Sequence, residues 1–225
     1  MPISEIIENA YTLPSKINVV ECGAMNPKTL ETAGWTNSHN VWFIEANPSG
    51  YAILKKQGYN ILNFGLSDIN GTRKFCQSEN WDCGYLELSG TNDSKVSGEH
   101  IKLTYDIECI TYKKLLETLD VVFDVLILDI EGHEEKVLEN MKHEIEKHRL
   151  PKILCVECGY EWEKRKEIVK ALGYDLDFYY YNNAYFSMPD LSYEKNTDTI
   201  DSYNKQWTSW SYRGKLIYKN ENTNI

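Results

Sequence analysis

The sequence predicts an α/β fold built on a doubly wound, mainly parallel sheet. Strand-like and helix-like segments alternate along most of the chain, which is the order in which such a sheet is assembled. The run Val125–Leu128 is apolar throughout and lacks the alternation of a half-exposed strand, so we expect helices to cover both of its faces. Several predicted strands also end on a carboxylate, and the carboxyl ends of adjacent parallel strands meet in one crevice.

The amino-terminal part gives three predicted strands separated by helices. The first strand begins at Ile17, so we expect no further domain ahead of it. Asn26 before Pro27, and Asn47 before Pro48, are typical helix starts, with a capping side chain followed by proline. The predicted order is a strand at 17–24, a short helix at 25–33, a strand at 40–45, a helix from 48 that ends at Gly58, and a strand at 59–64.

The segment at about 73–108 breaks this rhythm, because it is rich in Gly, Ser, Thr, Asn and Asp. We predict hairpins or a flexible lid there, inserted beside the carboxyl edge of the sheet. No repeat or linker is found, so a single domain over residues 1–225 is predicted. Alternation resumes with a helix capped by Thr111, the strand at Val125–Leu128, a helix with an apolar face at 137–145, a strand at 152–157, a helix around Ile168, and strands at 174–181 and 215–218.

The composition limits the partners and the compartment. The formal net charge is −10 over 225 residues, and no basic run is present to neutralise phosphates, so nucleic acid and anionic membrane surfaces are disfavoured. No apolar segment reaches the roughly 20 residues of a membrane span, and no secretory signal is found, so a cytoplasmic protein is predicted. Cys155 and Cys158 have the spacing of half a zinc site without a second half, so we expect buried reduced thiols.

The carboxyl-terminal region, about 174–225, is rich in aromatic residues. Rings with polar tips are good platforms for the sugar faces of a glycan acceptor. The favoured alternative is that they pack on the core or on a second subunit, which leaves a homo-oligomer open. The residues are Tyr179, Tyr180, Tyr181, Tyr185, Tyr193, Tyr203, Trp207, Trp210 and Tyr212.

The acids at the predicted strand ends form the candidate site. They are Glu21, Glu45, Asp129 with Glu131, and Glu157. If the strand continues through Ile130, Asp129 and Glu131 point to the same side. Glu45 follows the Gly23 turn by about one βαβ unit, where an acid binds ribose hydroxyls, and Gly23 lets the backbone approach a ligand closely. Without a glycine-rich dinucleotide turn or a P-loop, the crevice suits a ligand with a ribose and a positive charge but no phosphate, as in S-adenosylmethionine.

Five short motifs then occur in a fixed order. They are Val-Glu-Cys-Gly-Ala at 20–24, Gly-Trp at 34–35, Phe-Ile-Glu-Ala-Asn-Pro at 43–48, Asn-Phe-Gly-Leu-Ser-Asp at 63–68 with Gly71, and Asp-Ile-Glu-Gly-His-Glu at 129–134 followed by Val137 and Leu138. This order resembles the FkbM family of S-adenosylmethionine-dependent methyltransferases over roughly residues 19–157. The resemblance implies a Rossmann-like class I methyltransferase fold, and O-methylation of a hydroxyl on a sugar, glycan or natural product.

The resemblance also implies roles for single residues. From the methionine end of the cofactor through the ribose to the adenine, the contacts would be Glu21, Gly23 and Ala24, then Glu45 and Asn47, then Ser67 with Asp68. Asp129 and Glu131 would lie near the methyl donor and the acceptor. Relatives usually have a glycine soon after the first Gly-Ala pair, where this chain has Pro27. That departure leaves open a methyltransferase-like scaffold without catalysis.

Methyl transfer to a hydroxyl requires alignment and removal of a proton. Asp129 or Glu131 is a reasonable base, because clustered carboxylates raise one another's proton affinity. His133 is a further catalytic candidate, although a histidine after a helix-opening glycine is more often exposed. No metal is predicted, but an alternative is a divalent cation held by Asp129, Glu131 and Glu157. A rival enzyme class is a metal-dependent glycosyltransferase that uses Asp129 and Glu131 to bind a nucleotide sugar.

Overall fold

The structure is a computed structural model that describes residues 1–24, 27–78, 84–86, 101–159, 162–206, 209–212 and 215–219. Its helices are α1 (Ile3–Ala10), α2 (Lys28–Glu31), α3 (Trp35–Ser38), α4 (Pro48–Lys56), α5 (Tyr112–Leu119), α6 (Glu134–Glu144), α7 (Trp162–Ala171) and α8 (Thr197–Gln206), with a 3-10 turn at Lys147–Arg149. Its strands are β1 (Tyr11–Thr12), β2 (Asn18–Cys22), β3 (Asn40–Ile44), β4 (Ile61–Leu62), β5 (Gly65–Leu66), β6 (Gly71–Ser78), β7 (Gly84–Leu86), β8 (Ile101–Ile110), β9 (Val125–Leu128), β10 (Ile153–Glu157), β11 (Asp175–Tyr180), β12 (Asn183–Ser187), β13 (Glu194–Lys195), β14 (Ser209–Tyr212) and β15 (Lys215–Lys219).

The main sheet has seven strands in the order β11-β12-β10-β9-β2-β3-β4. Strands β10, β9, β2, β3 and β4 are parallel, whereas β12 is antiparallel to both of its neighbours. The chain moves outward from β2 to β3 and β4, then returns to β9 and β10 on the other side of β2. The predicted doubly wound, mainly parallel sheet is therefore confirmed. The direction of winding reverses between β2 and β9, which is where such sheets bind ligands.

Alternate residues of the central strands enter two separate cores. All four residues of β9 are buried, as its unbroken apolar sequence predicts. Leu126 packs with apolar residues of α5, α6 and α7 on one face, and Val125 packs with those of α1 and α3 on the other. Burial of both faces fixes the register of β9, because a shift by one residue would exchange the two sets of side chains. The position of the loop after β9 follows from this register.

A second sheet contains β5-β8-β6-β7 and lies beside the carboxyl edge of the main one. Strands β6 and β8 pair antiparallel, as do β6 and β7, and all three lie largely in the segment for which hairpins or a lid were predicted. Phe75, Leu86, Ile107 and Cys109 form its core, and Ala46, which follows β3, packs against them. Residues 79–83 and 87–100 of this segment lie outside the described residues. Its role as a lid stays a prediction.

Some elements differ from the sequence-based expectation. Helix α1 precedes the first strand, and β12 and α8 are also additional. The helix expected at 25–33 is shorter, since α2 begins at Lys28, and the capping residue Asn26 lies outside the described residues. The strand expected at 59–64 is limited to β4, because the chain then leaves the main sheet for β5. Asn47 does cap α4, and Thr111 caps α5.

The described tyrosines of the carboxyl-terminal region mostly pack in the core. The ring of Tyr185 stacks on that of Phe178 with centroids 4.6 Å apart. Tyr181 is the exception, at 59% exposed. Trp207 and the side chains of Trp210 and Tyr212 lie outside the described part of the structure. The other members, Tyr179, Tyr180, Tyr193 and Tyr203, are buried.

The cysteines and helices bear on two further expectations. Cys22, Cys76, Cys109, Cys155 and Cys158 are all free and buried, in agreement with reduced thiols that act as small apolar side chains. Within the described ranges, none of the helices is both long enough and apolar enough to cross a membrane.

The loop after β2 generates a prediction about stability. Gly23 has φ +87°, and a Cβ atom there would lie 1.7 Å from the carbonyl oxygen of Asp129. Gly34 has a similar φ of +75° but no atom within 4 Å of the equivalent position. We expect Gly23→Ala to lower the free energy of unfolding by ~3 kcal/mol or more, and Gly34→Ala to lower it by about 1 kcal/mol, in chemical denaturation. Equal losses would show that the two loops do not pack as described.

Candidate active site

A cleft opens at the carboxyl edge of the main sheet, where the order of the strands reverses. Residues that follow β2, β3 and β9 form one side of it, and residues of the second sheet form the other. The walls contain Cys22, Gly23, Ile44, Glu45, Ala46, Asn47, Phe64, Gly65, Leu66, Phe75, Gly84, Leu86, Asp129, Ile130 and Glu131. Five of the ten residues predicted for the site therefore line the cleft, namely Gly23, Glu45, Asn47, Asp129 and Glu131.

The two acids after β9 reach the cleft from a turn and not from a strand. Strand β9 ends at Leu128, so the expected continuation through Ile130 is wrong. The backbone N–H of Asp129 still donates to the carbonyl oxygen of Cys22 at 3.1 Å, and Glu131 then adopts φ +55°. Both residues line the cleft in spite of this change. The turn, and not the strand alternation, places them there.

Glu45 follows β3 on the same side of the cleft and is only 5% exposed. Its Oε1 accepts the backbone N–H of Asn47 at 2.6 Å, and Asn47 Oδ1 accepts the N–H of Ser49 at 2.9 Å at the start of α4. The hydroxyl of Tyr105 donates to Gln77 Oε1 at 2.9 Å and lies 3.3 Å from Asn47 Oδ1. These contacts attach the wall that contains Glu45 to the second sheet.

Glu21 and Ala24 are buried beside the cleft and are not among the residues that line it. The two carboxylate oxygens of Glu21 accept the hydroxyl of Thr29 at 2.8 and 2.9 Å. Gly23 N–H donates to the carbonyl oxygen of Ile44 at 3.0 Å, which joins the loops after β2 and β3. The glycine is required by its close approach to Asp129, whereas the sequence suggested a close approach to a ligand. Glu21 and Ala24 therefore support the cleft from behind.

Ser67, Asp68 and His133 form a separate cluster outside the wall of the cleft. His133 is 2% exposed, contrary to the expectation of an exposed histidine. Its Nε2 lies 3.0 Å from the hydroxyl of Ser67 and 3.7 Å from Asp68 Oδ1. Asp68 Oδ1 also accepts from Ser67 at 3.0 Å and from Arg73 Nη2 at 2.8 Å. The cluster thus connects the start of α6 to the second sheet.

Hydrogen bonds within this cluster, with the nearby charge of Arg73, lower the pKa of Asp68. The His133 imidazole has the largest effect, and the Ser67 hydroxyl and the Arg73 guanidinium add to it, against partial burial. Asp68 is thereby held ionised as the partner of Arg73. We find no contact of Ser67 or Asp68 that brings them to the described cleft, so an adenine contact stays a prediction for both.

The acids around the cleft have raised pKa values, in contrast to Asp68. Burial raises the pKa of Glu45 to about 7 and that of Glu21 to about 8. Burial also raises the pKa of Glu157 to about 7, with added repulsion from Glu134 and Glu131. The pKa of Asp129 lies well above its ordinary value because of burial and the nearby charge of Glu157. Glu21, Glu45 and Glu157 can therefore bind a proton near neutral pH.

A buried ion pair behind the acids has no counterpart in the sequence predictions. Glu134 and Arg165 are both buried, and Arg165 Nη2 lies 3.1 Å from Glu134 Oε2. Arg165 occupies the apolar face of α7 with Trp162, Ile168 and Val169, so a charged residue at a core position is the signal that would have found it. Across the described ranges, no three His, Cys, Asp or Glu side chains are arranged to hold a metal ion, including the set of Asp129, Glu131 and Glu157.

Comparison with known proteins identifies the family. The family model of the methyltransferase FkbM domain matches residues 21–188, which is most of the chain. The chain belongs to the FkbM methyltransferase family. The match contains every residue predicted for the site, begins inside β2 and includes β3, β4, β9 and β10. Among curated proteins, no significant match to the chain is found.

Solved structures of methyltransferases align with most of this chain. The methyltransferase FkbM from Methylobacillus flagellatus aligns with a TM-score of 0.53 and 13% identity, over 83% of this chain and 48% of that one. The precorrin-6y C5,15-methyltransferase from Geobacter metallireducens has a TM-score of 0.45 and 10% identity, and the alignment covers 82% of this chain and 84% of that one. A TehB-like SAM-dependent methyltransferase from Corynebacterium glutamicum has a TM-score of 0.43 and 13% identity, and the alignment covers 83% of this chain and 86% of that one. This chain spans about half the length of the first of these. The alignment with that protein, together with the family match, confirms the predicted class I methyltransferase fold.

The raised pKa of Glu45 gives a prediction about pH. Its ordinary value is 4.5 and its value in the folded protein is about 7, so the folded state binds the proton more tightly than the unfolded state. The bound proton of Glu45 therefore adds to the free energy of unfolding at low pH, and this contribution is lost as pH rises from about 4.5 to about 7. Glu45→Gln keeps an acceptor for Asn47 and does not ionise. We expect its stability relative to the native protein to rise by ~1–3 kcal/mol between about pH 5 and about pH 8 in urea denaturation.

The matched control for that experiment is Glu163→Gln. The Glu163 side chain is 73% exposed and lies on α7, away from the cleft. Its stability profile is expected to run parallel to that of the native protein. Parallel profiles for Glu45→Gln as well would contradict the burial of the Glu45 charge.

Proposed function

We propose that this chain is an S-adenosylmethionine-dependent O-methyltransferase whose acceptor is a hydroxyl on a sugar, glycan or natural product. One observation carries the proposal. In this chain of the FkbM methyltransferase family, buried Glu45, Asp129 and Glu131 line one cleft, at the point where the strand order of the sheet changes direction. That edge is where open α/β sheets bind their ligands. An acidic wall also suits a cofactor that carries positive charge.

The residues of the cleft fit this cofactor by their chemistry. Glu45 would accept hydrogen bonds from the ribose hydroxyls, and the loop at Gly23 would receive the methionine end. Ala46 and Phe75 form an apolar wall suited to a flat base. When bound, S-adenosylmethionine supplies a methyl group made electrophilic by its sulfonium. Glu21 and Ala24 would act through the loop that they support, without direct contact.

Asp129 and Glu131 are our candidates for the proton acceptor. Both line the cleft, whereas His133 lies outside its wall and bonds to Ser67. A carboxylate whose pKa is raised toward neutrality accepts a proton from a hydroxyl more readily than an ordinary one. The raised pKa of Asp129 supports that role. Either residue would also orient the hydroxyl before the proton is lost.

The free, buried cysteines support a reducing compartment, and we propose the cytoplasm. The net charge of −10 favours a small-molecule or glycan acceptor over nucleic acid as the partner.

Calorimetry tests the proposed cofactor. The chain is expected to bind S-adenosylmethionine and S-adenosylhomocysteine, and Glu45→Ala is expected to weaken both by roughly 10- to 100-fold, because hydrogen bonds to a charged group are lost. Glu163→Ala is the control and should bind as the native protein does.

Two other results would redirect the assignment. Binding of a nucleoside diphosphate with manganese, and not of S-adenosylmethionine, would point to the glycosyltransferase alternative. Binding of none of these ligands would favour the non-catalytic scaffold suggested by Pro27. An unchanged affinity in Glu45→Ala would place the cofactor elsewhere.

A further inference from the structure

The turn at residues 129–133 has a backbone conformation that needs external support. Glu131 has φ +55° and Gly132 has φ +96°, so two consecutive residues are left-handed. This region is unfavourable for a residue with a side chain, and it persists only where the surroundings stabilise it. Glu131 lines the cleft, so its carboxylate is correctly placed only while the turn is kept.

Glu134 provides this support from the first residue of α6. It is fully buried, and its Oε1 accepts the backbone N–H of Ile130 at 2.8 Å and that of Gly132 at 3.3 Å. These are the amides on either side of Glu131. Hydrogen bonds to a carboxylate are stronger than those to a neutral acceptor. One oxygen of Glu134 therefore closes the turn around Glu131.

Arg165 connects the same carboxylate to the next strand. Its Nη2 lies 3.1 Å from Glu134 Oε2, and its Nη1 donates to the backbone carbonyl of Glu157 at 2.9 Å. Glu157 is the last residue of β10, and its side chain accepts from Asn182 at 3.0 Å. A Cβ atom at Gly159 would lie 3.1 Å from Arg165 Nη1, so the backbone packs closely on the guanidinium. The pair thus joins the turn after β9 to the end of β10.

We propose that Glu134 and Arg165 are positioning residues that hold Asp129 and Glu131 toward the cleft. Neither residue lines the cleft, so both act through the backbone of the turn. The inference rests on the proposed function, which gives the two acids their role. It differs from a general contribution to stability, because it predicts a local change at the turn and a loss of ligand affinity in a protein that remains folded.

The chain contains a matched control for this distinction. Lys164 Nζ lies 2.5 Å from Glu135 Oε1, and this pair joins the same two helices at a more exposed position. The backbone amides of Ile130 and Gly132 donate to Glu134, which a change in this pair leaves in place. An ion pair that only joins α6 to α7 would behave in the same way at either position.

The test compares two double variants. Glu134→Met with Arg165→Met replaces both buried charges by apolar side chains, which leaves no unpaired charge in the core. We expect the amides of Ile130 and Gly132 to exchange with solvent about tenfold faster or more, while those of Leu126 and Leu154 keep their rates. We also expect the dissociation constant of S-adenosylhomocysteine to rise about fivefold or more. Glu135→Gln with Lys164→Gln should leave both quantities within about twofold of the native values.

Each outcome decides between the alternatives. Native exchange rates at Ile130 and Gly132 in the Met double variant, or equal effects in the control variant, would overturn the positioning role. If the native protein binds no S-adenosylhomocysteine, the proposed function fails, and the exchange rates alone still decide the inference. If the Met double variant does not fold, Arg165→Lys replaces it. That variant keeps a charge for Glu134 and removes the guanidinium that bonds to Glu157, and native exchange at Ile130 would overturn the role of Arg165 in the support of the turn.

Discussion

The fold gathers carboxyl groups at a place from which water is largely excluded, and the rest of the site depends on this constraint. Parallel strands that are buried on both faces bring their carboxyl ends to one edge. Glu21 and Glu45 are both about 5% exposed or less there, and burial raises the pKa of each. Ionised together, they would repel one another in a medium of low polarity. A cationic ligand would relieve both the burial and the mutual repulsion of these charges, which supports the proposed cofactor.

The same edge is held together by contacts between loops and not by the strands alone. Gly23 approaches the Asp129 carbonyl more closely than any side chain would permit, and Glu134 closes the turn that follows. Tyr105 then attaches the second sheet to Asn47, and Ser67 attaches it to His133 at the start of α6. A change in one loop is therefore expected to reach the others through hydrogen bonds. The site is a property of several loops that share a common support.

Much of the main sheet was predictable from the sequence, because its signals are local. The apolar run at Val125–Leu128 and the capping residues Asn47 and Thr111 each depend on a few adjacent residues. Helix α1 was also detectable, since Ile3, Ile6, Ile7 and Ala10 recur at helical spacing and are all buried. The antiparallel insertion of β12 was not, because its place in the sheet depends on pairing with distant strands.

The candidate site was predictable to the level of strand ends and no further. Glu45 and Asp129 were found because an acid follows an apolar strand. The wall formed by Phe75 was not, since it comes from the second sheet, and nothing near it in the sequence indicates which edge that sheet covers. His133 was misplaced for a similar reason. Its burial depends on Ser67, which is distant in sequence and adjacent in space.

The central claim is that buried, partly protonated carboxyl groups receive the positive charge of the cofactor. Proton exchange on binding tests it most directly, by calorimetry near neutral pH in buffers with different ionisation enthalpies. The account predicts that S-adenosylmethionine releases protons to the buffer, and more of them than neutral-sulfur S-adenosylhomocysteine does, because the sulfonium favours ionised carboxylates. Equal release by the two ligands, or proton uptake with S-adenosylmethionine, would contradict it.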